Sequence, residues 1–237
     1  MCTVTYLPLG NNNFMLTSNR DETPLRKTIP LKTYKENGVE LTYPKDALAG
    51  GTWIGASSKN RLVCLLNGGF TNHIRNHYYK MSRGIIVKNI LSADNGVTYI
   101  NNFNFIDIEP FTLILVDYHL QLEAYELVWD GKKKHLKKLA TEPRIWSSSP
   151  LYNEEMKALR KEWFSDWLLE NDSFQQEKII DFHQNESLGN REISPSMKRA
   201  FVETVSITSV KKIAATIEIT YLDLRTSKTV QKRLSRQ

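Results

Sequence analysis

Five apolar residues in a row, Leu62-Val63-Cys64-Leu65-Leu66, constrain this chain more than any other stretch. A strand sends successive side chains to opposite faces, so such a run is expected where a strand is covered on both sides. Cys64 inside it reads as a core residue rather than a reactive thiol. Trp53-Ile54-Gly55-Ala56 is its hairpin partner, across a turn at residues 57–60.

The remaining elements come in blocks. Residues 2–7 are β-rich, Gly10-Asn11-Asn12-Asn13 is a turn cluster and Phe14–Ser18 is a return strand, so the chain opens on a hairpin. Residues 23–48, carrying Pro24, Pro30 and Pro44, read as an extended wandering loop. A helix is expected over Ser82–Ala93 with Ser82 as N-cap, and Val97–Asn102 adds a further turn. Strands follow at Phe111–Val116 and Leu122–Trp129, with Asp130-Gly131 as a hairpin turn. Ser149-Pro150 reads as the N-cap and first-turn pair of the next helix, where Met156, Leu159, Trp163 and Trp167 make one apolar face. A second helix covers Phe174–His183, and strands return at Phe201–Val210, Ala215–Leu224 and Thr229–Leu234. Strands, then helices, then strands describe a layered α/β or α+β domain. Neither repeats nor low-complexity segments interrupt it, and residues 1–237 read as a single domain with a basic tail at about 232–237.

Composition narrows the function classes. Two cysteines cannot build a disulfide framework and fit a reducing compartment. The chain shows no apolar run of the ~18 residues needed for a membrane span and no signal peptide, so a cytoplasmic location is expected. The formal charge of +6 is concentrated in Lys132–Lys138 and in the tail. Neither run is joined by a helix-turn-helix, a finger or an aromatic-basic face, so both read as solvated and nucleic acid is not an expected partner. His73 and His77 stand four apart, but neither a glutamate nor a third ligand is in register, so no metal and no cofactor are expected.

Chemistry concentrates near the start. Removal of Met1 leaves Cys2 carrying a thiol nucleophile and a free α-amine of ordinary pKa near ~8, which can serve as its base. The opening hairpin returns Asn19-Arg20-Asp21-Glu22 to the same place. In this reading Asp21 partners the amine and Arg20 the thiolate or a substrate carboxylate. Adjacent strand residues point to opposite faces, so both reach Cys2 only where the strand ends or bulges.

Met1-Cys2 with Asn19-Arg20-Asp21-Glu22 resembles the NRDE family, which includes transport and Golgi organisation protein 2 of animals. More distantly it is similar to the N-terminal-nucleophile (Ntn) hydrolases of the penicillin V acylase and bile salt hydrolase group. Gly50-Gly51-Thr52-Trp53-Ile54-Gly55 and Trp146-Ser147-Ser148-Ser149-Pro150 support the likeness. It implies an α+β fold, a four-layer αββα sandwich of antiparallel sheets with the N-terminal strand central.

The resemblance also implies site residues. Asn67 is the expected oxyanion donor, although Asn67-Gly68 is equally the sequence of a tight turn. Ser148 stands where the acylases carry an asparagine, and Ser18 where they carry an arginine if Asp21 matches their aspartate. Arg199 is the nearest counterpart of their C-terminal arginine. Asn19, Glu22 and Trp53 are the remaining substrate-side candidates. The implied activity is hydrolysis of a small or lipid-like amide by Cys2, with no metal or organic cofactor. The alternative is a non-catalytic NRDE-type protein that binds a hydrophobic ligand, such as a carrier in haem or lipid trafficking.

Overall fold

The computed structural model describes residues 3–235; Met1 and Cys2, and with them the expected nucleophile, lie outside the described residues. The chain divides into two compact units, one formed by Met1–Leu25 and Glu142–Gln237, the other by Arg26–Thr141. Each unit holds one antiparallel sheet and two helices.

The first unit is a six-stranded sheet with the order β10-β1-β2-β11-β12-β13. Its strands are β1 (Thr3–Gly10), β2 (Asn13–Glu22), β10 (Arg144–Ser147), β11 (Glu203–Ile213), β12 (Thr216–Asp223) and β13 (Lys228–Ser235). The opening hairpin forms as expected, and β1 is flanked by β2 and β10: Thr3 pairs with Asn19 on one side and Ser147 on the other. Every residue of β2 from Phe14 to Asp21 is buried. Helices α3 (Glu154–Glu170) and α4 (Gln176–Gln184) pack on this sheet, α3 against β10 and α4 against β2 and β11. Leu7 and Met15 meet Phe164, Ile179 and Phe182 there.

Two expectations fail in α3. The helix begins at Glu154 and is capped by Asn153, whose side chain accepts from Met156 N–H, rather than by Ser149-Pro150. Its inward face holds Arg160 and Phe164, while Leu159 is exposed. Apolar periodicity cannot register an arginine that is buried because four of its five N–H donors find acceptors. The basic tail also differs from a frayed end. Lys232–Ser235 belong to β13, with Arg233 paired to Glu218 at 3.6 Å.

The second unit is a seven-stranded meander in sequence order. It runs β3 (Thr28–Glu36), β4 (Val39–Asp46), β5 (Ile54–Ser57), β6 (Arg61–Asn67), β7 (Phe111–Asp117), β8 (Glu123–Trp129) and β9 (Lys134–Lys138). The wandering loop expected at 23–48 is therefore largely a hairpin. Asn37-Gly38, both at positive φ (50° and 79°), supplies the turn, and that dipeptide is a standard hairpin signal. Pro30 and Pro44 fall where the β3–β4 register shifts between Ile29 and Lys32, so neither proline is asked to donate to the ladder. Helix α1 (Arg83–Ser92) packs on β4, β5 and β6 and touches α2 (Gly96–Asn102). Cys64 is fully buried in β6, beside Val63 and Leu65 of the core.

The Gly50-Gly51 block has a steric reason. A Cβ on Gly51 would sit 2.6 Å from the backbone carbon of Gly84, so the loop before β5 and the start of α1 touch main chain to main chain. Thr52 N–H donates to Gly84 O in the same contact.

Candidate functional site

Thr3 marks the described start of β1, and the surrounding side chains divide between the two faces of the sheet. On the helix-covered face stand Thr3, Thr5, Asn19 and Asp21; Arg20 and Glu22 share the other. The β2–β11 register is irregular between Thr204 and Ser206, opposite Asp21 and Arg20. That irregularity lies in β11, so β2 keeps its alternation and sends Arg20 and Asp21 in opposite directions.

Asp21 is 4% exposed, and its carboxylate is held by two hydroxyls. Thr204 Oγ1 donates to Oδ1 at 2.7 Å and Tyr152 Oη to Oδ2 at 3.3 Å. Thr204 Oγ1 in turn accepts from Met197 N–H, which sets its proton towards Asp21. The Tyr152 ring has two guanidinium groups over it, Arg160 at 4.2 Å and Arg199 at 5.4 Å from its centroid. Arg199 spends its own donors on the carbonyls of Glu192 and Leu151.

Arg160 is the residue that sequence reasoning missed. It is 1% exposed and binds Ser147 Oγ through Nε, the carbonyls of Ile193 and Ser194 through Nη1, and Thr3 Oγ1 through Nη2. One planar cation thus ties β1, β10 and the 193–194 segment together. The second missed residue is His183 of α4, fully buried. Its Nδ1 lies 2.7 Å from Asn19 Oδ1 and its Nε2 2.8 Å from Thr5 Oγ1. Asn19 Nδ2 donates to His183 O and Pro195 O, so the asparagine offers its oxygen to the ring and Nδ1 carries the proton. Burial, with the Arg160 charge adding to it, drives the His183 pKa down to about 3. The only sequence signal for either residue was a polar side chain interrupting an apolar helix face. Asn19 accordingly locks β2 to α4 with its whole amide.

On the other face Arg20, 3% exposed, lies 3.9 Å from Glu22. Ser206 is its register partner in β11, and Thr208 is that of Ser18. The hydroxyls of Ser148, Ser206 and Thr208 are buried with no hydrogen-bond partner among the described residues. Such groups are few in a native fold and each calls for an explanation, a bound molecule being one.

Asn67 and Trp53 belong to the second unit. Asn67 ends β6 opposite Phe111, followed by the positive-φ Gly68 (83°), whose N–H donates to Pro110 O. Trp53 is buried just before β5, and its carbonyl accepts from Leu65 N–H. A cavity of about 840 Å³ opens at the Arg61 end of β6, the end away from Asn67. Charged groups lining it are paired, Lys59 with Asp94, Arg61 with Asp117 and Glu123 with Lys138. Among the described residues no group of three or more His, Cys, Asp or Glu side chains is arranged to hold a metal ion. No helix among them is long and apolar enough to cross a membrane.

With this geometry in view, comparison with known proteins is informative. The sequence matches the family model described as Transport and Golgi organisation 2 over residues 1–229. No curated protein matches it. Among solved structures, penicillin V acylase from Agrobacterium tumefaciens is similar with a TM-score of 0.57 at 12% identity, over 98% of this chain and 85% of that one. The N-acylethanolamine-hydrolyzing acid amidase orthologue of Caenorhabditis elegans gives 0.57 at 12%, over 88% and 92%. A variant of the conjugated bile acid hydrolase from Clostridium perfringens gives 0.57 at 9%, over 100% and 97%. At these identities the likeness is one of fold: the α+β architecture of the Ntn hydrolases, built here from two antiparallel sheets and four helices.

Proposed function

The chain belongs to the Transport and Golgi organisation 2 family, and from that premise and the acylase-type fold we infer that it is an Ntn-type amidohydrolase acting on a small or lipid-like amide. The observation that carries this reading is the seating of Thr3 between Asn19 and Ser147, with the buried Asp21 two residues further along β2. Cys2 is covalently joined to Thr3, the residue that Arg160 and two neighbouring strands hold in place.

In the reaction the Cys2 sulfur attacks the amide carbonyl while its own α-amine takes the thiol proton. The tetrahedral adduct collapses as that proton passes to the leaving amine. Water then cleaves the thioester, releasing the acid and restoring the thiol. Asp21 is assigned to the α-amine. Arg20, with Glu22 beside it, serves the thiolate or an anionic group of the substrate. Ser148 offers a hydroxyl to the oxyanion. Arg199 remains on the substrate side of this assignment, through the Tyr152 ring. No metal enters these steps. The family match spans both units, which supports one NRDE-type domain over residues 1–237, and the cysteine usage supports a cytoplasmic setting.

Intact-mass spectrometry of the purified protein tests this reading. Loss of Met1 and a transient acyl adduct on incubation with acyl amides are expected, with both adduct and turnover absent in Cys2→Ala. Adduct formation that persists in Cys2→Ala defeats it. A carrier of a hydrophobic ligand on the same fold is the competing reading. It is favoured by Ser148, a hydroxyl at the place where the acylases use an asparagine amide. Haem titration followed at the Soret band separates the two: tight binding independent of Cys2, without hydrolysis, identifies the carrier.

A further inference from the structure

The basic run Lys132–Lys138 and the loop holding His73 and His77 play no part in the reading above, yet the fold brings them together. Between the end of β6 and the start of α1, residues 68–82 contain neither helix nor strand. Loops of that length inside compact domains are usually functional. This one exposes apolar side chains among its polar ones. His73 and Arg75 turn back towards Glu109, at 3.6 and 3.7 Å, where Arg83 already lies at 3.1 Å. Ile74 between them is 94% exposed, Tyr78 is 70% exposed and Phe70 is 52% exposed. Ile106, 60% exposed, rides on the segment that Lys80 holds through Asn104 O and Asp107 O.

Phe70 stands edge-on to His135, ring centroids 4.9 Å apart, which joins the loop to β9, the last strand of its sheet. Lys134 is spent on the carbonyls of Ile100 and Asn101 and Lys138 on Glu123. Lys132, Lys133 and Lys137 are exposed and make no ion pair with any described residue. Of the neighbouring carboxylates, Asp130 is engaged by the Lys132 and Lys133 N–H groups and by His135, and Glu126 is the cross-strand register partner of Lys137. Lysines on an edge strand also deter strand addition. That need does not explain apolar side chains standing in water next to them.

We propose that this surface docks the protein on a lipid bilayer bearing anionic headgroups. Phe70, Ile74 and Tyr78 enter the boundary between headgroups and acyl chains, and Lys132, Lys133 and Lys137 meet the anionic lipids. A nucleic acid would use the lysines and the aromatic rings but gains nothing from exposed isoleucines, whereas a bilayer uses all of them. The proposal goes beyond the amidohydrolase reading and stands whether or not Cys2 is a nucleophile.

Co-sedimentation of the full chain with phosphatidylcholine vesicles, with and without phosphatidylserine, tests it. Binding is expected to the phosphatidylserine vesicles and to weaken with added salt. Ile74→Ser should weaken it about thirtyfold, and the combined Lys132→Gln, Lys133→Gln, Lys137→Gln variant about a hundredfold. Leu169→Ser, at a leucine 82% exposed on α3, serves as the control and should leave binding unchanged. Ile74→Trp should give a blue-shifted emission on these vesicles. Absence of vesicle binding, indifference to Ile74→Ser, an equal loss in Leu169→Ser, or tighter binding to a single-stranded oligonucleotide than to vesicles would each overturn the proposal.

Discussion

Asn19 Oδ1 and His183 Nδ1 stand 2.7 Å apart, and the direction of that hydrogen bond fixes the state of both groups. Because the asparagine gives its protons to two carbonyls, the ring must donate from Nδ1 and accept at Nε2 from Thr5. A neutral imidazole of one tautomer is thereby built into the junction of β1, β2 and α4.

A stability dependence on pH follows, with its sign set by the depressed pKa. The folded-state value is about 3 against an ordinary 6.5, so between these limits the unfolded chain binds the extra proton. The contribution is complete above pH 6.5 and is lost as pH falls towards 3. At pH 5 the loss should be about 2 kcal/mol. Urea midpoints measured against pH should show this slope in the wild type and a flatter one in His183→Gln.

Arg160→Met should destabilise by about 3–5 kcal/mol, because it leaves Thr3, Ser147 and two carbonyls without their donor. Arg160→Lys should recover only part of this, since one ammonium cannot reach the acceptors that the planar fork spans. Chemical denaturation of the two variants checks both magnitudes.

Thr204→Val and Tyr152→Phe each remove one hydroxyl from Asp21, but not equally. The Thr204 bond is shorter and also caps Met197 N–H, so its loss should cost about 2 kcal/mol. Tyr152→Phe should cost about 0.5–1 kcal/mol, as befits a long bond. If Asp21 serves the Cys2 amine, acyl-adduct formation should fall in the same order.

Gly51→Ala and Gly38→Ala separate two reasons for glycine. The first forces a Cβ onto the Gly84 backbone and should cost about 2 kcal/mol or more. The second meets open space but a φ of +79°, and should cost about 1 kcal/mol. Thermal midpoints of the pair give the comparison.

Local chemistry was legible wherever it repeats at short range. The apolar run Leu62–Leu66 announced a strand covered on both faces, and the turn cluster after Gly10 announced the hairpin that returns Asp21 towards the start of β1. Asn37-Gly38 carries a turn signal as well, but the reading of 23–48 as a loop rests on its prolines and does not use it. Their placement in a register shift is a property of the paired strands, not of either strand alone. The inward face of α3 shows the same limit. Leu159 points out and Arg160 in, because the arginine's acceptors come from β1, β10 and residues 193–194, far away in sequence.

The sequence by itself determined most of the strands and helices, though not β3, β4, β9 or β10, and which residue types carry reactive groups, since both depend on near neighbours and on bond chemistry. Only the tertiary structure decided that Arg160 and His183 support the start of β1, and that Phe70 meets the lysine-bearing edge at His135. A buried cation or a neutral imidazole is stable only where its partners converge, and convergence of distant segments has no periodicity to read.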